Sequence, residues 1–163
     1  MLSEENCCQL ALHNTGGVAA VFHVYDKLSL HEIPRRYTVA LGASLTDTWA
    51  MDAATGAYNL WVLGPDGFHR HMKGDLALGA CPEPELRYCR DTDRLSLVLN
   101  NPGPQAHLVS VHCELPTGGQ TDLKLAAASQ TTWECALAHG QAWYDIYIRL
   151  PDCSGYERRL SGK

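Results

Sequence analysis

His69 and His71 stand two residues apart in a run, Phe68 to Met72, that reads as one arm of a hairpin. Alternate strand residues leave the same face, so both imidazoles would point one way, a spacing that can chelate a transition metal. Asp66 and Asp75 lie near enough to lend an oxygen. A durable site needs a third and a fourth fixed ligand. The sequence places none, so no metal site and no cofactor is expected. His23, His107 and His112 are scattered along other strand-like runs, without a His-Glu-x-x-His pattern. They read as surface or edge histidines.

Nucleophiles lack their usual settings too. Ser44 and Ser129 are outside any Gly-x-Ser-x-Gly elbow. Gly64-Pro65-Asp66-Gly67 is not a phosphate-binding loop, because no Lys follows at the required spacing. Cys7-Cys8 has no predicted helix N-terminus or cation beside it to lower a thiol pKa. Trp49, Trp61, Trp133 and Trp143 could stack on a ligand, but aromatics at strand positions usually fill cores. The sequence therefore assigns no catalytic, cofactor-binding or metal residues.

The elements that would position these residues occur twice. Leu10-Ala11-Leu12-His13-Asn14-Thr15-Gly16 returns as Leu97-Val98-Leu99-Asn100-Asn101-Pro102-Gly103. Leu41 to Ser44 returns as Ala126 to Ser129, and Ala57 to Val62 as Trp143 to Ile148. Each copy closes on an aromatic, a basic residue and Gly: Phe68-His69-Arg70 to Gly74, then Tyr156-Glu157-Arg158 to Gly162. Four blocks in one order, at offsets of 85 to 88 residues, imply a tandem of two related small modules rather than a solenoid. Recurrence at matching places makes Tyr58-Asn59 and Tyr144-Asp145 structural residues.

Strand signals dominate both copies. Val18–Tyr25, Tyr37–Leu41, Ser44–Ala50, Tyr58–Leu63 and Phe68–Met72 are short, alternating or β-branched runs bounded by Gly and Pro. In the second copy Leu95–Leu99, Leu108–Glu114, Leu123–Ala127, Thr131–Leu137, Trp143–Leu150 and Tyr156–Leu160 follow suit. The best helical candidate, Ala43 to Ala54, is weakened by Thr46 and Thr48. In the turn Gly64-Pro65-Asp66-Gly67, Pro65 is expected at the first central position. The predicted fold class is all-β, two tandem antiparallel β-sandwich modules of about six strands each. Repeat 1 spans residues 8–75 and repeat 2 spans 86–163. Cys81-Pro82-Glu83-Pro84-Glu85 lies in a Pro-containing connector, 76–85, expected to be extended and semi-rigid.

Composition narrows the partners. The chain has 163 residues, 45% of them hydrophobic, enough for one full domain or two small ones. A formal net charge of −5 with 13 scattered basic residues argues against nucleic acid. Seven cysteines, an odd number without a CxxC, do not read as a zinc ribbon. Residues 1–5 carry no basic or apolar leader, and no apolar run reaches the length of a membrane span.

With these blocks in view, the chain resembles the C-terminal region of bacterial phosphocholine-type phospholipases C, from about Cys8 to Lys163. Asn14-Thr15-Gly16-Gly17 leading into Ala20 to Tyr25 carries the resemblance, with Tyr37-Thr38-Val39 and Tyr58 to Val62. The most specific stretch is Leu63 to Asp75, and Trp143 to Ile146 with Arg158 to Gly162 match in the second copy. The resemblance implies two small β modules behind a catalytic domain of the alkaline phosphatase superfamily. That family's nucleophile and metal ligands belong to the catalytic domain, and no residue here matches them. In copy two Leu150-Pro151-Asp152-Cys153-Ser154-Gly155 replaces the Gly-Pro-Asp-Gly turn. The chain also stops at Lys163, where a polar tail is expected, so it reads as a detached C-terminal piece.

The implied role is a non-catalytic accessory module of a secreted or periplasmic enzyme acting on phosphatidylcholine-type lipids. Its expected partners are the catalytic domain, in cis or as a separate chain, and a lipid surface. The competing reading is a free-standing β-sandwich that binds a protein or carbohydrate through its loops.

Overall fold

A computed structural model describes residues 7–89, 92, 94–115, 118–137 and 143–163. The N-terminal residues 1–5, read above as lacking a leader, lie outside them. Strands make up nearly all the regular structure, and every pairing is antiparallel. The first half holds β1 (Cys7–His13), β2 (Ala20–Asp26), β3 (Arg35–Val39), β4 (Ser44–Ala50), β5 (Ala57–Leu63) and β6 (His69–Asp75). A 3₁₀ turn, Leu76–Leu78, leads on to β7 (Glu83–Cys89), β8 (Arg94–Asn101), β9 (His107–Leu115), β10 (Gly119–Leu125), β11 (Ser129–Ala136), β12 (Tyr144–Arg149) and β13 (Glu157–Gly162).

Period-two alternation decides which way these strands face. Leu10 and Leu12, Phe22 and Val24, Tyr37 and Val39, and Leu60 and Val62 turn inward and form one core together with Trp49. Leu95, Leu97 and Leu99, Val109 and Val111, and Ile146 and Ile148 form a second core with Leu125, Leu150 and Tyr156. Each core lies between two sheets, so each half is a sandwich.

The two halves share one of their sheets. Its order is β10-β9-β12-β13-β6-β5-β2-β3, and β13 pairing with β6 joins the halves into eight continuous strands. A two-stranded β1-β4 sheet covers the first core, and β11-β8-β7 covers the second. The pairings β1–β4, β2–β3, β2–β5 and β5–β6 of the first half correspond one for one to β8–β11, β9–β10, β9–β12 and β12–β13. Strand β7 has no counterpart in that scheme.

Two expectations need correction. Residues 83–85, read as connector, form the start of β7. Strand β7 is at a sheet edge, where a proline such as Pro84 costs no ladder bond. The strand read at Ser44–Ala50, and not the weaker helical alternative at 43–54, forms as β4, whose β-branched Thr46 and Thr48 suit a pleated strand. In the turn after β5, the central residues are Asp66 and Gly67, at φ 52° and 72°, and the Phe68 amide donates to Pro65 O at 3.0 Å. Positive φ at both positions is the type I′ pattern that matches hairpin twist. Pro65 thus precedes the central pair.

Candidate functional site: the seam between the halves

Two buried asparagines organise the equivalent corners of the two sandwiches. Asn14 Nδ2 donates to Val18 O at 2.8 Å and Val39 O at 3.0 Å, while its Oδ1 accepts from the Gly16 amide at 2.9 Å. Asn101 Nδ2 donates to Gln105 O at 2.7 Å and Ala126 O at 2.8 Å, while its Oδ1 accepts from the Gly103 amide at 3.0 Å. Each side chain replaces ladder bonds that the backbone cannot make where the strand ends. Both asparagines lie in the first repeated block, Leu10 to Gly16 and Leu97 to Gly103.

The seam β6–β13 holds a polar cluster built on two arginines. Its register pairs His71 with Arg159, Arg70 with Leu160 and Met72 with Arg158. Arg70 Nη1 donates to Ser161 O at 2.9 Å, and its Nη2 donates to the Tyr144 hydroxyl at 3.1 Å. Reciprocally, Arg158 Nη1 donates to Lys73 O at 2.7 Å and Nη2 to the Tyr58 hydroxyl at 2.8 Å. Each arginine thus crosses the seam to a backbone carbonyl and a tyrosine of the other half. Glycine is required beside each ring. A Cβ on Gly74 would run into the Tyr58 ring, and one on Gly162 would meet the Tyr144 hydroxyl at 2.8 Å.

Arg158 also grips β7. Its Nε and Nη2 reach Glu83 Oε2 and Oε1 at 3.1 and 2.6 Å, a bidentate fork, and its guanidinium is 4.5 Å from the Tyr156 ring centroid. Arg158 is 5% exposed. Burial alone would lower its pKa, but the Glu83 fork and the neighbouring tyrosines outweigh it and raise the pKa further. Burial pushes the Tyr156 phenol up as well, and its hydroxyl donates to Pro82 O at 2.6 Å. Clefts of about 210 and 280 Å³ flank Arg158. Both fall short of the usual range for a small-molecule site, roughly 300–1,000 Å³.

On the opposite face of the same strands, His69 and His71 do project together, as their spacing predicts. Trp61 packs edge-on against both, at 5.9 and 6.0 Å between centroids. His71 contacts Asn59 Oδ1 through Nε2 at 2.7 Å and Glu157 Oε1 through Nδ1 at 3.1 Å. Burial, aided by Lys27, lowers its pKa to about 4 against the pull of Glu157. At neutral pH the Glu157 contact is therefore a hydrogen bond from a neutral ring rather than an ion pair. That ring has one N–H; with it given to Glu157 through Nδ1, Nε2 is an acceptor, and the 2.7 Å contact is satisfied only with the Asn59 amide turned to put Nδ2 in place of Oδ1. Burial and the nearby Arg159 lower His69 too. Asp75, the proposed oxygen donor, accepts from the Leu78 amide at 3.2 Å and caps the 3₁₀ turn. Asp66 belongs to the hairpin turn. Among the described residues no three His, Cys, Asp or Glu side chains converge as metal ligands would.

The other chemical candidates are dispersed. Ser44 Oγ lies 2.7 Å from His13 Nδ1, a contact that the β1–β4 register creates and the sequence search missed. The pair is exposed, and among the described residues no carboxylate orients the imidazole, so the nucleophile–base–orienter relay is incomplete. Ser129 Oγ donates to Ala126 O at 2.8 Å. The tryptophans form no common platform. Trp49 is buried in the first core, Trp133 packs on the second, Trp61 lies under Lys27, and Trp143 covers the Gly67 turn. Tyr58, Asn59, Tyr144 and Asp145 are structural, as expected: Asp145 holds Arg159 in a bidentate pair at 2.8 and 2.7 Å.

Sequence reading missed the arginines. Arg70 and Arg158 stood out only as the basic residue of each closing block, because their tyrosine partners lie 74 and 100 residues away. The available signal was the recurrence itself, a Tyr in the last strand but one and an Arg in the last strand of each half.

The arrangement defines a pair of β-sandwiches joined through an internal polar seam. Residues 3–75 match the family described as bacterial phospholipase C, C-terminal domain. The chain is 31% identical over 161 residues to a non-hemolytic phospholipase C of Pseudomonas aeruginosa, covering 94% of this chain and 23% of that protein. It is 29% identical over 160 residues to the non-hemolytic phospholipase C of Burkholderia pseudomallei, 94% of this chain and 22% of the relative. A hemolytic phospholipase C of Pseudomonas aeruginosa is 31% identical over 168 residues, 90% of this chain and 22% of the relative. The chain thus spans less than a quarter of the length of these relatives. Among solved structures, a DUF3823 family protein from Bacteroides ovatus aligns with 93% of this chain and 90% of its own at 10% identity, with a TM-score of 0.33, too low to define a shared fold.

Proposed function

We propose that the chain is the non-catalytic C-terminal accessory part of a bacterial phospholipase C, working beside a catalytic region of the alkaline phosphatase superfamily, in cis or as a separate chain. One observation carries this reading: the similarity runs along 94% of the chain yet covers only 23% of the relative, on a segment whose family description is a C-terminal domain. Polar clusters engaged internally, at the seam and at the asparagine corners, support a structural role. We further propose export to the periplasm or the medium, where phosphatidylcholine-type lipids would be met, with the lipid surface a second partner.

Deletion of this segment from the parent enzyme tests the reading. The remaining catalytic region should melt at lower temperature but still hydrolyse a small soluble phosphocholine ester. A truncated enzyme that stays folded and yet loses that hydrolysis would place catalytic residues in this segment and refute the proposal.

A further inference from the structure

The loop joining β2 to β3, residues 27–34, breaks the correspondence between the halves. Eight residues lie between Asp26 and Arg35, whereas only 116–118 lie between Leu115 and Gly119 in the matching β9–β10 connection. The longer loop carries Leu28, Leu30 and Ile33 at 50%, 58% and 92% exposure. Single exposed aliphatics are ordinary on a protein surface, but three within six residues make a patch. Turns hold them outward. The Ser29 amide donates to Asp26 O at 3.1 Å, the Glu32 amide to Ser29 O at 2.9 Å, and the Leu28 amide to Asp26 Oδ1 at 2.9 Å. A cleft of about 310 Å³ lies beneath, between Leu30 and Ile33 and the end of β4 at Trp49 to Met51.

That end of the sandwich is also where β1 enters, since Cys7 pairs with Ala50. In a C-terminal domain, the chain before β1 leads to the rest of the enzyme, more than three quarters of the length of the relatives. The aliphatic patch and the upstream region therefore meet at the same end of the first half. The second half, farther along the chain, has the shorter connection at the equivalent place.

We infer that the 27–34 loop is the surface on which this chain docks against the upstream catalytic region of the parent phospholipase, an inference that rests on the accessory reading above. Charge favours a protein partner over a bilayer. Lys27 is turned onto Trp61 at 4.2 Å, and Arg35 onto Trp49 at 4.1 Å and Asp47 at 2.9 Å. These flanking cations thus do not rim the tip, as they would in a loop made to enter phospholipid headgroups, and Glu32 sits among the aliphatics. Leu28, Leu30 and Ile33 fit an apolar protein patch.

Hydrogen–deuterium exchange on the 163-residue chain, alone and with its catalytic region joined or added, tests this. Amides of 27–34 should slow at least tenfold when the catalytic region is present. Ile33→Asp should remove that protection while leaving the melting temperature of the chain alone unchanged. Protection elsewhere but not at 27–34, or protection that survives Ile33→Asp, would overturn the docking site and leave the accessory reading standing. No protection anywhere would overturn both. Protection of the loop by phosphatidylcholine vesicles, with none from the catalytic region, would make lipid the occupant and equally overturn the inference.

Discussion

Arg158 on β13 donates through Nη2 to the hydroxyl of Tyr58 on β5, 100 residues earlier in the chain, at 2.8 Å. The same guanidinium holds Glu83 of β7 and the carbonyl of Lys73. One buried cation therefore ties β5 and β6 of the first half to β7 and β13 of the second. Arg158→Ala would leave Tyr58 and the Lys73 carbonyl without that donor in a buried place. Removing one member of a buried charged pair costs about 3–5 kcal/mol, and Glu83 is exposed enough to regain water, which favours the lower figure. A loss of about 3 kcal/mol, or roughly 6–12 °C in melting temperature for a chain of this size, is expected by calorimetry. Arg70→Ala, whose residue bridges the seam the other way without a carboxylate partner, should cost about half as much.

Gly67 holds φ 72° in a turn where a Cβ would also run into the Trp143 ring. Gly67→Ala should cost roughly 1–2 kcal/mol from the backbone and the ring together. Adding Trp143→Ala removes the ring, so the double variant should show less than the sum of the single losses. Thermal melts of the four proteins in the cycle measure this, and strict additivity would mean that the ring gives way freely.

The pH dependence follows from His71. Its pKa in the folded chain, about 4, lies below the unfolded value near 6.5. Between those values the unfolded chain binds more protons, so stability rises with pH. The contribution is complete above pH 6.5, is lost as pH falls towards 4, and levels off below. His69 is lowered as well and adds in the same direction. Denaturant midpoints at pH 7.5 and 5.0 should differ more for the wild type than for His71→Gln, by on the order of 1–2 kcal/mol. Equal differences would mean that His71 titrates normally in the fold.

Asn14 and Asn101 make the same three hydrogen bonds with different neighbours. Asn→Asp at either place keeps the shape but removes two donors and sets a carboxylate against two carbonyl oxygens. Each variant should lose about 2–3 kcal/mol, with Asn101→Asp, at the more deeply buried site, losing more. Chemical denaturation of both checks this, and a neutral effect at either would show that the amide does not cap its corner.

Much of the fold was legible because the strands follow a strict period of two and the turns are marked by Gly and Pro. Ser44 to Ala50 was located to the residue, since Leu45 and Trp49 alternate with polar neighbours. Two features were hidden for physical reasons. Edge pairing such as β6 with β13 depends on how two modules meet, which local periodicity does not encode. Pro84 read as a breaker, yet an edge strand needs no amide at that place. Likewise the His69–His71 face could be placed, but the partners of His71 could not. Asn59 comes from the neighbouring strand and Glu157 from across the seam, 86 residues away. We propose that the matching strand pairings, asparagine corners and reciprocal arginines reflect two copies of one ancestral module.

Phosphocholine release from phosphatidylcholine vesicles by the purified 163-residue chain tests the central claim most directly. Release indistinguishable from buffer over many hours is expected of the chain alone, with release only when the catalytic region is supplied. Sustained, multiple-turnover release by the chain alone would contradict it.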